Sequence, residues 1–200
     1  MKIDNNSALV VVDVQKDFCP GGALPVKEGD AIVTTLNKYI ERFATSRSVI
    51  IFTRDWHPPR HISFYSEGGR WPAHCVRGSK GAEFHASLKV PGWAMVVSKA
   101  VDEKVEAYSG FQGTGLAKTL RKRRVIRIFV GGLATDYCVK ETVLDALSNR
   151  FQVYYLTDAS KGVNVNQGDS ERAILEMKAK GAECIVLSDL NYIARQDLKH

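Results

Sequence analysis

No stretch of the 200-residue chain comes near the roughly 20 consecutive apolar residues that a membrane helix needs, so a helical membrane span is excluded. The opening residues Met1-Lys2-Ile3-Asp4-Asn5-Asn6 lack the pattern of a secretory signal, and the cytoplasm is the expected location. Cysteine is sparse. Cys19, Cys75, Cys138 and Cys184 are widely scattered with no C-x-x-C pair, which reads as reduced thiols and not as a disulfide frame. Internal repeats and low-complexity segments are also missing. A nucleic-acid motif is absent too, although the formal net charge is +6. The one dense basic run, Arg121-Lys122-Arg123-Arg124 with Arg127 beyond it, carries no interleaved aromatics. It falls where a helix should end before a strand, a position that favours cations. Neither nucleic acid nor membrane is an expected partner.

What is present suits one domain, residues 1–200, with a full-sized core: 44% hydrophobic and 25% charged residues. Strand and helix patterns alternate. Ala8 to Val12 is a continuous apolar run, as in a strand buried on both faces. Asp30 is placed to cap a helix whose buried stripe is Val33, Leu36, Ile40 and Phe43. Further strands are expected at Val49 to Thr53, Ala94 to Ser98, Val125 to Val130, Val153 to Leu156 and Ile185 to Leu187. Asp169-Ser170-Glu171 opens a helix through Ile174, Leu175 and Met177. Strands separated by helices imply a parallel sheet with helices on both faces, a doubly wound α/β domain. The irregular stretch from Asp55 to Pro91 holds most of the Pro, Gly, His and Trp residues, and so long a loop in one domain is usually functional.

Ligands of such sheets bind outside the carboxyl ends of the strands. Asp13 follows the first strand, Asp55 and His57 the second, and Lys99 the third. After the fourth, Val130-Gly131-Gly132 leads to Cys138, beyond which Val139, Val143, Ala146 and Leu147 recur at helical spacing. The layout reads as strand, tight turn and cysteine at a helix start. A helix N-terminus stabilises a thiolate, and its free N–H groups can hold an oxyanion, so acyl transfer is the chemistry to test. A free cysteine is more often a small buried apolar residue. Here an acid, a lysine and a cysteine meet at one sheet edge.

A second constellation adjoins the first. Asp55, His57 and His74 offer one carboxylate and two imidazoles, which would leave coordination positions open on a divalent metal. The alternative is a plain Asp55–His57 hydrogen bond with His74 filling a turn. His61 is a weaker further ligand, because Pro58-Pro59 dictates the local path.

The chain resembles the nicotinamidases, the amide-hydrolysing branch of the isochorismatase-like cysteine hydrolases. The resemblance runs nearly end to end. It is carried by Val11-Val12-Asp13-Val14-Gln15-Lys16-Asp17-Phe18, Asp55-Trp56-His57-Pro58 with His61-Ile62-Ser63-Phe64, and Trp71-Pro72-Ala73-His74-Cys75-Val76. Further matches are Lys99, Tyr108-Ser109-Gly110-Phe111, Gly132-Leu133-Ala134-Thr135-Asp136-Tyr137-Cys138-Val139 and Gly168-Asp169-Ser170. Ala100 departs from the pattern, since glycine commonly follows the family's lysine.

The resemblance implies a three-layer α/β/α fold with a six-stranded parallel sheet in the order 3-2-1-4-5-6. It also implies a catalytic triad of Asp13, Lys99 and Cys138, with Asp13 as base and then acid, and Lys99 holding Asp13 ionised and favouring the thiolate. The backbone N–H groups of Ala134 and Cys138 would bind the oxyanion, next to a cis peptide at Leu133–Ala134. Asp55, His57 and His74 would hold one divalent metal ion, zinc first and iron or manganese as alternatives, that takes the ring nitrogen of nicotinamide. Phe18 and Trp71 would sandwich the ring, and Tyr108 would contribute to a lid. NAD salvage and self-association follow from the likeness alone, and acceptance of analogues such as pyrazinamide is left open. Two rivals are a sibling hydrolase of ureido or N-carbamoyl substrates and a non-catalytic binding protein.

Overall fold

The first strand, β1 (Ser7–Val12), is buried at every position, which fits its unbroken apolar sequence and its place in the middle of the sheet. The computed structural model describes residues 3–190. Five more strands join β1: β2 (Val49–Asp55), β3 (Met95–Lys99), β4 (Arg127–Leu133), β5 (Gln152–Lys161) and β6 (Glu183–Ile185). All pairings are parallel, and the order is β3-β2-β1-β4-β5-β6 as expected. Val10 sits between Ile51 and Val130, which puts the switch of strand order between β1 and β4.

Alternate residues of each strand feed two cores. Leu9, Val11, Phe52 and Phe129 pack under α1 (Val33–Thr45), together with its Leu36, Ile40 and Phe43. Val10, Val12, Val130 and Tyr155 pack on the opposite face. There they meet Leu120 of α2 (Leu116–Lys122), Val143 of α3 (Lys140–Ser148) and Met177 of α4 (Asp169–Ala179). The architecture is the doubly wound, three-layer α/β/α arrangement. The basic run closes α2 as expected, with Arg121 and Lys122 in its last turn.

Four local expectations need correction. The Gly131-Gly132 pair does not end β4 in a tight turn, because the strand runs on to Leu133. Gly132 has φ +133°, and a Cβ there would lie 2.1 Å from the carbonyl oxygen of Val12, so glycine serves the close approach of two neighbouring strands. Asp30 caps nothing: it lies in a 3₁₀ turn, Gly29–Ile32, that precedes α1 and leaves Ile32 at the N-cap. β5 continues past Leu156 to Lys161, after a register shift beside Val130 and Gly132. Leu187 belongs to a 3₁₀ turn, Leu187–Asp189, after β6 and not to the strand. Within the long loop, single bridges at His57–Val76, Phe64–Trp71 and Gln15–Phe84 tie the chain to the sheet edge.

Candidate active site

The carboxyl ends of four strands converge on one buried ammonium group. Lys99, the last residue of β3, is in register with Asp55, the last residue of β2. Its Nζ lies 2.9 Å from Asp13 Oδ2, 3.4 Å from Cys138 Sγ and 3.2 Å from the carbonyl oxygen of Ala107, and it also donates to Asp55 Oδ1. Asp13 follows β1 with φ +48°, and its Oδ1 accepts a 2.6 Å hydrogen bond from Thr53.

Burial opposes the charge on Lys99, but the carboxylates of Asp13 and Asp55 outweigh it and hold the pKa well above the ordinary lysine value. For Asp13, burial and the neighbouring Asp55 overcome the attraction of Lys99, so its carboxyl is raised above the usual range. Asp55 moves the other way: burial acts to raise it, and Lys99 and His57 together hold it low. Burial pushes the Cys138 thiol up; Lys99 acts against this, while Asp13 and Asp55 reinforce it. One ammonium thus stands among two carboxylates and the thiol.

Cys138 does not open a regular helix. The peptide Leu133–Ala134 is cis. Thr135–Val139 then forms one wide turn, kinked at Tyr137 (φ −127°, ψ −105°), before α3 begins. The carbonyl of Ala134 accepts from Tyr137 N at 3.0 Å and from Val139 N at 3.1 Å. Asp136 ties this turn to the segment between β5 and α4 by accepting from Val163 N (2.9 Å) and Asn164 N (2.7 Å).

Beside the ammonium lies the donor set. One ligand atom from each of Asp55, His57 and His74 falls within 4.8 Å of the others, and all three residues are buried. Among the described residues neither ring nitrogen of His57 has a hydrogen-bond partner, although the residue is only 1% exposed. Such an orphaned imidazole is costly without a further partner, and a metal ion fits the place. His74 donates from Nδ1 to the carbonyl of Pro72 at 2.7 Å, which leaves Nε2 as a ligand. Burial lowers the pKa of His74 and favours the neutral, ligating form. Lys99 takes one oxygen of Asp55, and the other faces His57 Nε2 at 3.5 Å. His61 packs on His57 with ring centres 4.2 Å apart, and both of its own ring nitrogens have partners. Its Nδ1 pairs with Ser63 Oγ at 2.7 Å and its Nε2 with the carbonyl of Val105 at 3.1 Å.

Two supporting residues were not singled out in the sequence. Buried Gln15 clamps the peptide groups of Asp55: its Oε1 accepts from Asp55 N and its Nε2 donates to Asp55 O, both at 2.8 Å. Asp17 accepts from Cys75 N at 2.7 Å, fixing the chain just after His74 where Cys75 has φ +45°. Both lie in the short segment between β1 and Phe18, where polar side chains follow an apolar strand within a few residues.

Cys138, Ala134 and the three donors line one cavity, whose remaining wall is largely apolar and aromatic. Phe18 packs on His74 with ring centres 5.4 Å apart. Trp71 donates from Nε1 to Tyr108 Oη at 3.0 Å and meets Tyr137 edge to face at 5.2 Å. The structure thus brings Phe18, Trp71 and Tyr108 to the wall and adds Tyr137. A wider open groove beside Lys16, Asp30, Lys80 and His85 contains Cys19. Burial pushes that thiol up to about 11, which suits no nucleophile.

A family model described as the isochorismatase domain matches residues 7–189. The nicotinamidase of Escherichia coli is 41% identical, over 91% of this chain and 95% of its own length. The crystal structure of the pyrazinamidase of Pyrococcus horikoshii in complex with zinc superposes with a TM-score of 0.88 at 50% identity, covering 91% of this chain and 99% of that one. The structure of PnC1 from L. infantum in complex with nicotinate gives a TM-score of 0.89 at 35% identity, over 96% and 98% of the two chains.

Proposed function

We propose, on the premise that the chain belongs to the isochorismatase domain family, that it is a nicotinamidase converting nicotinamide and water to nicotinate and ammonia. The observation that carries this reading is the shared cavity, in which the thiol of Cys138 and the orphaned His57 of the donor set face one space. The likeness to a nicotinamidase and to a zinc-bound pyrazinamidase supports it.

In this reading Asp13, Lys99 and Cys138 form the triad. Cys138 gives its proton to Asp13 as its sulfur attacks the carboxamide carbon. The raised pKa of Asp13 makes it a stronger base than an ordinary carboxylate, and Lys99 fixes its position. Backbone N–H groups of Ala134 and Cys138 stabilise the oxyanion, a role worth roughly 3 kcal/mol per donor. Asp13 then protonates the departing amine, leaving a thioester on Cys138. It next draws a proton from the attacking water, which releases the carboxylate and restores the thiol.

Asp55, His57 and His74 would hold the divalent ion, for which zinc is our choice over iron or manganese. When bound, that ion supplies a Lewis-acid position for the pyridine nitrogen. Phe18 and Trp71 position the ring between them, and Tyr108 and Tyr137 keep water from its exposed edge. A single domain of residues 1–200 carries the activity, and its place is in NAD salvage.

The test is ammonia release from nicotinamide by zinc-loaded protein, beside Cys138→Ala and a chelated sample. Turnover by the wild type alone is expected. Release from ureido compounds but not from nicotinamide would transfer the site to a sibling chemistry.

A further inference from the structure

Amide hydrolysis changes the charge of the ligand within the cavity: a neutral carboxamide enters and a carboxylate must leave. Two acids line the cavity, Asp55 and Glu106. Asp55 lies against the ammonium of Lys99, which it shares with Asp13. Glu106, half-buried, has no ion pair with any lysine, arginine or histidine among the described residues.

Its place is fixed. Glu106 Oε1 accepts from Ala107 N at 3.0 Å, and the carbonyl of Ala107 accepts from Lys99 Nζ at 3.2 Å. The next residue, Tyr108, is held by Trp71. The segment Glu106-Ala107-Tyr108 is therefore pinned at each residue, with one carboxylate set into the wall that also carries Cys138.

We infer that Glu106 is a specificity-determining residue that sets the site against its own anionic product, favouring release of the carboxylate while leaving the neutral amide almost untouched. Like charges repel across a partly water-excluded cavity, whereas a neutral amide presents only a dipole. The inference rests on the amidase reading above.

The experiment measures calorimetric binding of nicotinamide and of nicotinate to zinc-loaded Cys138→Ala, with and without Glu106→Gln. Glutamine keeps the shape and the acceptor for Ala107 N and removes only the charge. The nicotinate Kd should fall roughly threefold to tenfold and the nicotinamide Kd by less than about twofold. Glu106→Asp, which retains the charge, should keep nicotinate weak. If Glu106→Gln leaves both constants in place, or moves them together, the residue is only part of the wall and the inference is wrong. Binding of neither ligand to the Cys138→Ala protein would sink the amidase reading itself, and this inference with it.

Discussion

At the scale of single residues the candidate site centres on Lys99, whose ammonium touches Asp13, Asp55 and Cys138 at once. Lys99→Met would leave two buried carboxylates facing each other, and it should cost about 3 to 5 kcal/mol of stability, measurable by denaturant unfolding. Asp13 makes a separate prediction. The active form needs its carboxylate, and burial raises its pKa above 3.8, so kcat/KM should fall on acidification through a limb lying above the ordinary carboxylate value. A pH profile with no such limb above that value would contradict its role as base. The residue types at these places were legible in the sequence, because each stands at or shortly after the end of an apolar strand. The full surroundings of the thiol were not. A cysteine before a helical repeat points to a helix end, whereas Cys138 lies against Lys99, Asp13 and Asp55 together, a feature made only by tertiary convergence.

At the scale of elements, two backbone positions govern how the strand ends meet. Gly132→Ala would drive a Cβ into the backbone of Val12 and should cost about 3 kcal/mol or more, with activity lost alongside because β4 carries the cysteine turn. Ala100 gives the opposite case. It has φ +51°, which explains why the family pattern favours glycine after the lysine. Ala100→Gly should therefore raise stability by up to about 1 kcal/mol, where an ordinary Ala→Gly exchange lowers it. Thermal unfolding of the variant checks the sign. Strand existence was plain from apolar runs such as Ala8 to Val12, but strand ends were not. The run through Gly131 and Gly132 reads as a turn by composition, and the approach of β1 to Gly132 and of β5 to Gly131 explains why glycines continue a strand there. Asp30 has the composition of a cap, yet a 3₁₀ turn intervenes before α1.

At the scale of the molecule, one sheet with a core on each face gathers the site at its carboxyl edge, and the long connection between β2 and β3 supplies His57, His74 and Trp71. A divalent ion that binds only the folded chain should raise the apparent stability, by about 2.7 kcal/mol at a free concentration a hundred times Kd. Removing it should lower the Tm, and His57→Ala should abolish that shift. The remaining question for the whole molecule is whether the cysteine edge and the donor set act on one substrate. The most direct measurement is intact-mass analysis of protein acid-quenched during turnover of nicotinamide. The wild type should yield a species heavier by one nicotinoyl group, mapped to the peptide containing Cys138 and absent from Cys138→Ala. Sustained ammonia release by Cys138→Ala, with no acylated species at any quench time in the wild type, would contradict it.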